Sequence, residues 1–201
     1  MLMIVGLALV RYAIPADVNT PGAWVGDPRH RNAVLLALKL VPFAGIAFLW
    51  FIGVLRNRLA ELEDRLFATV FLGSGLLFVA SMLGAAAVTD ALVQSLGVAD
   101  IGSGIYYFGR RMSDTLLNLF AMKMAGVFIF STCTIGLRTQ ILARRLAFTG
   151  YACALLLLLV IPNWRWITLA FPIWMLLVSM NFLLAELRSE AEALAAPSDQ
   201  D

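Results

Sequence analysis

Charged side chains make up only 14% of the 201 residues, while 61% are hydrophobic. A soluble domain carries about 25% charged and ~45–50% apolar residues, so the scarcity of charge excludes an ordinary soluble fold. Mean hydropathy is +0.87, and the apolar surplus has to face lipid. Histidine is rarer still. The single His30 excludes, within this chain, a haem held between two histidines, a zincin H-E-x-x-H site and a histidine-rich metal centre, each of which needs two or more. Cysteine occurs twice, as Cys133 and Cys153. Neither belongs to a C-x-x-C or zinc-ligand spacing, and both fall in long apolar runs that predict buried small side chains. Gly102-x-Gly104 lacks the third glycine of a dinucleotide loop, and no G-x-x-x-x-G-K-[ST] occurs. The paired-aspartate pattern of phosphatidyltransferases is missing as well. The expectation is a chain with no cofactor, no metal and no catalytic residue of familiar signature.

What the sequence does have is long apolar runs. A membrane-crossing helix needs ~20 mostly apolar residues, because each adds about 1.5 Å along a path of about 30 Å. Asn32 to Leu55, Leu66 to Val88, Thr115 to Leu137 and Ile167 to Leu187 meet that length. Ala143 to Pro162, with the run Leu155 to Leu159, makes a fifth span whose ends fray into the headgroup zone. Met1 to Val10 is wholly apolar, but ten residues reach only ~15 Å as a helix. With Arg11 directly behind it and neither a positive leader nor a cleavage site, it reads as the tail of a truncated sixth span, with a half-helix packed on its neighbours or an interfacial anchor as the alternatives. The expected fold is therefore all-α, a polytopic transmembrane helical bundle of five full spans plus a partial amino-terminal one. Residues 1–188 form that bundle, and 189–201 form a polar, disordered tail.

The breaks are marked by proline and glycine. Pro15, Pro21, Gly22, Gly26 and Pro28 predict an irregular loop over Ile14 to His30. Arg56 to Arg65 predicts a short helical hairpin, in which Glu61 and Arg65 sit four apart on one face. Thr89 to Asp114, with Gly97, Gly102, Gly104 and Gly109 ahead of and around Tyr106-Tyr107-Phe108, reads as a long loop with an aromatic interface. Pro162 to Trp166 reads as a tight turn. Net charge is +2, from 15 Lys+Arg against 13 Asp+Glu, and the charges cluster between apolar runs. Such clusters orient a membrane protein and do not imply nucleic acid. The turns holding Arg56, Arg58, Arg65, Arg138, Arg144, Arg145 and Arg188 are compact, which places them and the carboxyl tail in the cytoplasm.

Ionisable groups inside a span are costly and mark where function is sought first. Lys39 and Lys123 qualify. Counted from the expected span ends they share a depth of ~10–12 Å below the outer boundary. Asn118 and Asp114 stand one or two turns above Lys123, and Asp90 closes the neighbouring span. Together they predict an outer-half polar cluster that binds an anionic headgroup or a carboxylate, or relays a proton. The alternative is that the lysines snorkel along their stems or lock helices together. Pro42 and Pro172 are expected kinks or hinges, and Gly73, Gly75 and Gly84 are expected helix-packing positions in small-xxx-small spacing. Gly73-Ser74-Gly75 is similar to the G-x-S-G nucleophile of rhomboid proteases, but Leu72 stands where a glycine is required. The one histidine lies in a loop beyond a different span, so no base is at hand.

The stretch from Val41 to Val88, beginning V-P-F-A-G-I-A-F-L-W-F-I-G-V-L-R-N-R, resembles a group of bacterial integral membrane proteins without an assigned activity, and Asp114 to Arg145 is similar to the same group. The resemblance implies a small bacterial inner-membrane protein and transfers no catalytic residue. The expected function is a non-enzymatic component of a membrane assembly whose partners are the bilayer and a membrane protein or further copies of the chain. A small transporter or lipid- or anion-binding protein using Lys39, Asp114, Asn118 and Lys123 is the alternative.

Overall fold

A computed structural model describes residues 27–59, 65–98, 103–159 and 167–195, together with Val5. The described residues form helices α1 (Pro28–Leu59), α2 (Arg65–Val98), α3 (Ser103–Asp114), a π-helical turn (Thr115–Ala121), α4 (Met122–Arg138), α5 (Arg144–Leu159), a 3-10 turn (Ile167–Leu169) and α6 (Ala170–Ala195). There is no strand among them. Pro28–Asn57, Ala68–Leu96 and Gly104–Arg138 are each long and apolar enough to cross a membrane. A further crossing was expected over α5, but it is 16 residues long, about 24 Å by helical rise, and is not among the helices long enough to cross. The fifth is represented by the shorter apolar stretch Ala170–Leu184. The expectations for Met1 to Val10, for most of the loop Ile14 to His30, for the Glu61 to Arg65 pairing and for the Pro162 to Trp166 turn lie outside the described residues.

Two helix starts differ from what the sequence suggests, for local reasons. Pro28 was expected to break the chain, yet it is the first residue of α1. Proline suits that position, because its fixed φ is helical and its missing N–H would have no partner in the first turn. Asp27 in front of it acts as the cap: its carboxylate accepts from the Arg29 amide at 2.9 Å and contacts His30 Nδ1 at 2.8 Å. The Arg29 amide, followed by His30, holds the Asp27 carboxyl below its ordinary value. A carboxyl depressed in the folded state contributes stability above its unfolded value and loses it as pH falls through the folded one. Acidification below about pH 4 is therefore expected to fray the Arg29–Asn32 turn, seen as faster amide exchange there, and Asp27→Ala should give the same fraying at neutral pH.

The second difference is larger. The expected loop from Thr89 to Asp114 is mostly helix: α2 continues to Val98 and α3 begins at Ser103. One glycine read as a break has another use: a Cβ at Gly109 would meet Leu92 carbons at 2.7 to 3.0 Å, so this glycine lets α3 lie close against α2. At the far end, α6 carries helix to Ala195, seven residues into the tail that was expected to be disordered from 189 on. The turn after α4 places Gln140 at φ 58°, a left-handed position taken here without glycine.

The core is organised around phenylalanine rings contributed by four helices. Phe48 (α1), Phe78 (α2), Phe128 (α4) and Phe171 (α6) are all almost fully buried. Their centroids lie 4.8 to 6.2 Å apart in edge-to-face geometry. Phe71 stacks on Phe128 at 4.8 Å. In a bilayer, where lipid tails are as apolar as these rings, close van der Waals fit and not exclusion from water holds helices together. The fit is tightest between α4, α5 and α6: a Cβ at Gly150 would collide with Cys133 Sγ and would stand 2.7 Å from Trp174 Nε1. Cys133 and Cys153 are both buried free thiols.

Candidate functional site

Helix register decides whether the expected polar cluster exists. Val34 of α1 packs with Val93 of α2, and Gly45 faces Val79 and Met82 while Gly75 faces Ile52. Antiparallel pairing of this register puts Lys39 level with about residue 88 of α2. On the other flank of α2, Ser113 bonds Thr89 at 2.7 Å, Gly84 faces Leu116 and Gly75 faces Phe128. Asp114 is thus also level with about residue 88, whereas Lys123 is level with about residue 79. Nine residues of helical rise separate the two lysines in height, about 13 Å. The equal depth inferred from expected span ends does not hold, because α3 begins twelve residues before Thr115, where that span was expected to start.

Each expected site residue then has a distinct place. Lys39 is exposed on α1 and Asp114 is exposed at the end of α3. Lys123 is half-buried, and its Nζ donates to the main-chain oxygen of Leu158, one of the last four carbonyls of α5. The last carbonyls of a helix lack partners within it, and a cation at the negative end of a helix is favourable; Lys123 holds a carbonyl in the last described turn of α5. Asn118 is half-buried inside the π turn.

The π turn is a feature that hydrophobic periodicity alone did not reveal. An uninterrupted α-helix carrying the inward face of Tyr106 and Gly109 would bring it back at about residues 120 and 124. The structure buries Ala121, Met122, Ala125 and Gly126 instead, one to two residues later. The wider turn absorbs that surplus and keeps both halves of the Gly104–Arg138 rod facing the core. A sequence signal was present in the slipped spacing of small residues from Gly109 to Ala121.

Thr89 and Ser113 form the polar link between α2 and α3. Both hydroxyls reach the Ala85 carbonyl, at 2.8 and 3.0 Å, and each other. Two hydroxyl protons serve three contacts, so at most two of the three are hydrogen bonds at any moment. Nearby Gln94 donates to the Asp90 carboxylate at 2.5 Å. Thr134 and Tyr151 bond across α4 and α5 at 2.9 Å. Ser74 is buried, and its hydroxyl donates to the Phe71 carbonyl at 3.1 Å, one turn back in its own helix.

Of the three expected packing glycines, Gly75 is the one at which neighbours leave no room, with Ile52 Cδ1 2.6 Å from a built Cβ. Gly84 would touch Leu116 at an ordinary 3.6 Å, and nothing lies within 4 Å at Gly73. Pro42 lies inside α1 on an exposed face. Pro172 was expected to interrupt a span, but α6 starts at Ala170, so it falls in the first turn, where no intrahelical bond is lost. It lines an apolar groove of about 450 Å³ between α1 and α6, together with Phe48, Trp50, Phe51, Met175 and Ser179. Among the described residues, no group of three or more His, Cys, Asp or Glu is placed to hold a metal ion. No protein family, curated protein or solved structure matches the chain.

Proposed function

We propose that the chain is a multi-pass integral membrane protein of a bacterial inner membrane, acting as a non-enzymatic component of a membrane assembly. In this reading α1, α2 and the Gly104–Arg138 rod cross fully, α5 and α6 complete five spans, and the Arg138 end and carboxyl terminus face the cytoplasm. The observation that carries it is the use made of Lys123. An intramembrane cation is the first place to look for chemistry, and here its ammonium group is spent on the end of α5 while Lys39 stands apart on the surface. Large apolar side chains meanwhile point outward on α1, α2, α5 and α6, as at Trp50, Leu77, Leu155 and Leu177. Native mass spectrometry of the protein extracted from its own membrane in gentle detergent tests the reading. A stoichiometric second polypeptide or a second copy is expected, and a lone chain contradicts it.

The π turn favours a second reading, since π turns are frequent at functional sites and this one lies between Asp114 and Lys123. A small transporter or lipid- or anion-binding protein would use Asp114, Asn118 and Lys123 there. The lysine variants separate the two readings. If Lys123 is a cap, Lys123→Met leaves the Leu158 carbonyl unpaired and lowers stability by about 1–3 kcal/mol, whereas Lys39→Met stays within about 0.5 kcal/mol of the parent. If Lys123 serves a ligand, Lys123→Met keeps its stability and loses a lipid or small anion that co-purifies with the parent, which Lys39→Met retains.

A further inference from the structure

The groove between α1 and α6 takes its height from the rings beneath it. Phe48 and Phe171 meet at 5.8 Å and both meet Phe128, so α1, α6 and α4 share a level there. From that level α6 follows α4 toward the Arg138 end, since Gly150 lies against both Cys133 and Trp174. α1 runs the same way, antiparallel to α2, with Gly45 facing Val79 and Ile52 facing Gly75. On α1 the groove extends from Ala44 to Val54, about 15 Å by helical rise. That is the depth of one leaflet of a hydrocarbon core about 30 Å thick. α6 begins only at Ala170, so it walls the groove through this leaflet and no further. A volume of about 450 Å³ over that length gives a cross-section of about 30 Å², or some 5–6 Å across. Ala44, Phe48 and Pro172 are buried at the floor, and Trp50 and Val54 are exposed at the rim.

We infer that this groove holds one acyl chain of an anionic phospholipid from the leaflet at the Arg138 end. The proposal rests on the reading of the chain as membrane-embedded. Width decides the occupant. A partner helix is about 10–12 Å across with its side chains and would ride on the rim, whereas a chain of methylene carbons, which pack at about 4 Å, fits between the walls. Length points the same way, because a crossing helix needs a seat through both leaflets and an acyl chain needs one. The lining is apolar apart from Ser179. Counted from the Phe48–Phe171 contact, Ser179 is level with about residue 56 of α1, at the end of the groove nearest the arginines. Ala44, Ala47, Phe51 and Val54 follow the three-then-four spacing of one helical stripe, and the next position on that stripe is Arg58. A guanidinium one turn past the groove stands where an acyl chain joins its phosphate, and Arg56 is exposed at the same height. Each basic residue near the surface favours an anionic headgroup by about fivefold.

The test uses the full chain in nanodiscs of equal parts phosphatidylglycerol and phosphatidylcholine, released into gentle detergent and weighed by native mass spectrometry. One phospholipid per chain is expected to stay bound, with phosphatidylglycerol enriched about fivefold. Ala47→Phe fills the groove from an exposed lining position and should cut the retained lipid about fivefold or more. Ala152→Phe, exposed on α5, makes the same exchange away from the groove and should leave it unchanged. Arg58→Gln should keep a lipid bound and lose the preference for phosphatidylglycerol. Phosphatidylglycerol with a diazirine in its acyl chain should label residues 44–54 and 172–179 on illumination. No bound lipid, retention unaffected by Ala47→Phe, equal retention of the two lipids by the parent, or label spread evenly over the lipid-facing helices overturns the proposal. A chain that keeps a second polypeptide but no lipid overturns it and leaves the assembly reading in place. A chain that stays out of the discs overturns both.

Discussion

Gly150→Leu is expected to lower stability by about 3 kcal/mol or more, near the top of the range for overpacked cores, and to lower the thermal midpoint in detergent by about 6–12 °C. Even the first carbon of a side chain at 150 would run into Cys133 Sγ on α4 and the Trp174 ring on α6, whose Nε1 and Cε2 would stand at 2.7 and 2.9 Å. The collision comes from two helices at once, so moving one away does not relieve it. Trp174 also donates to the Leu146 carbonyl at 3.4 Å, which would be lost if the indole turned aside. Gly53→Ala is the matched control. Nothing lies within 4 Å of a Cβ there, and the exchange should gain up to about 1 kcal/mol from helix propensity.

Phe171→Ala should cost about 2–4 kcal/mol. Truncating a buried phenylalanine in a water-soluble core costs about 3–5 kcal/mol, and part of that is transfer from water, which is small when the alternative is lipid. What remains is the cavity and the lost ring contacts. Phe171 is fully buried, with centroids 4.8 Å from Phe78, 5.8 Å from Phe48 and 6.2 Å from Phe128, so one substitution loosens α6 from α1, α2 and α4 together. Phe171→Leu, which refills most of the space, should cost less than half as much. Phe148→Ala, at a side chain 66% exposed, should have little effect. Reversible unfolding monitored through tryptophan fluorescence distinguishes the three.

That helices long and apolar enough to cross a membrane are present is legible from residue types alone, because the cost of lipid exposure depends on composition over some twenty residues. The long helices follow from the same runs. What escapes the sequence depends on partners. Pro28 looks like a breaker until Asp27 is seen to cap the helix that it begins. Gly109 looks like a loop residue until Leu92 is found against it. The depth of Lys39 and Lys123 requires the register between helices, and once α3 is known to precede Thr115 without a long loop, the expected shared depth becomes about 13 Å of separation. The role of Lys123 depends on Leu158, thirty-five residues away, a contact no spacing rule encodes. The π turn left a trace in the slipped periodicity after Gly109, but a single surplus residue is hard to tell from ordinary scatter in the hydrophobic pattern. The ring cluster needs all four helices in place.

The helices are expected to lie in a bilayer with Lys39 and Asp114 level near one face and Lys123 deeper. Nitroxide labels attached to cysteines introduced singly at positions 39, 50, 77, 114 and 123 of the reconstituted protein, read by collision with oxygen against a water-soluble nickel chelate, test it directly. Labels at 50 and 77 should report lipid, those at 39 and 114 should report one common depth near the headgroups, and the label at 123 should lie about 13 Å further in. Chelate access at 50 and 77 equal to that at 39, or one depth shared by 39 and 123, would contradict the account.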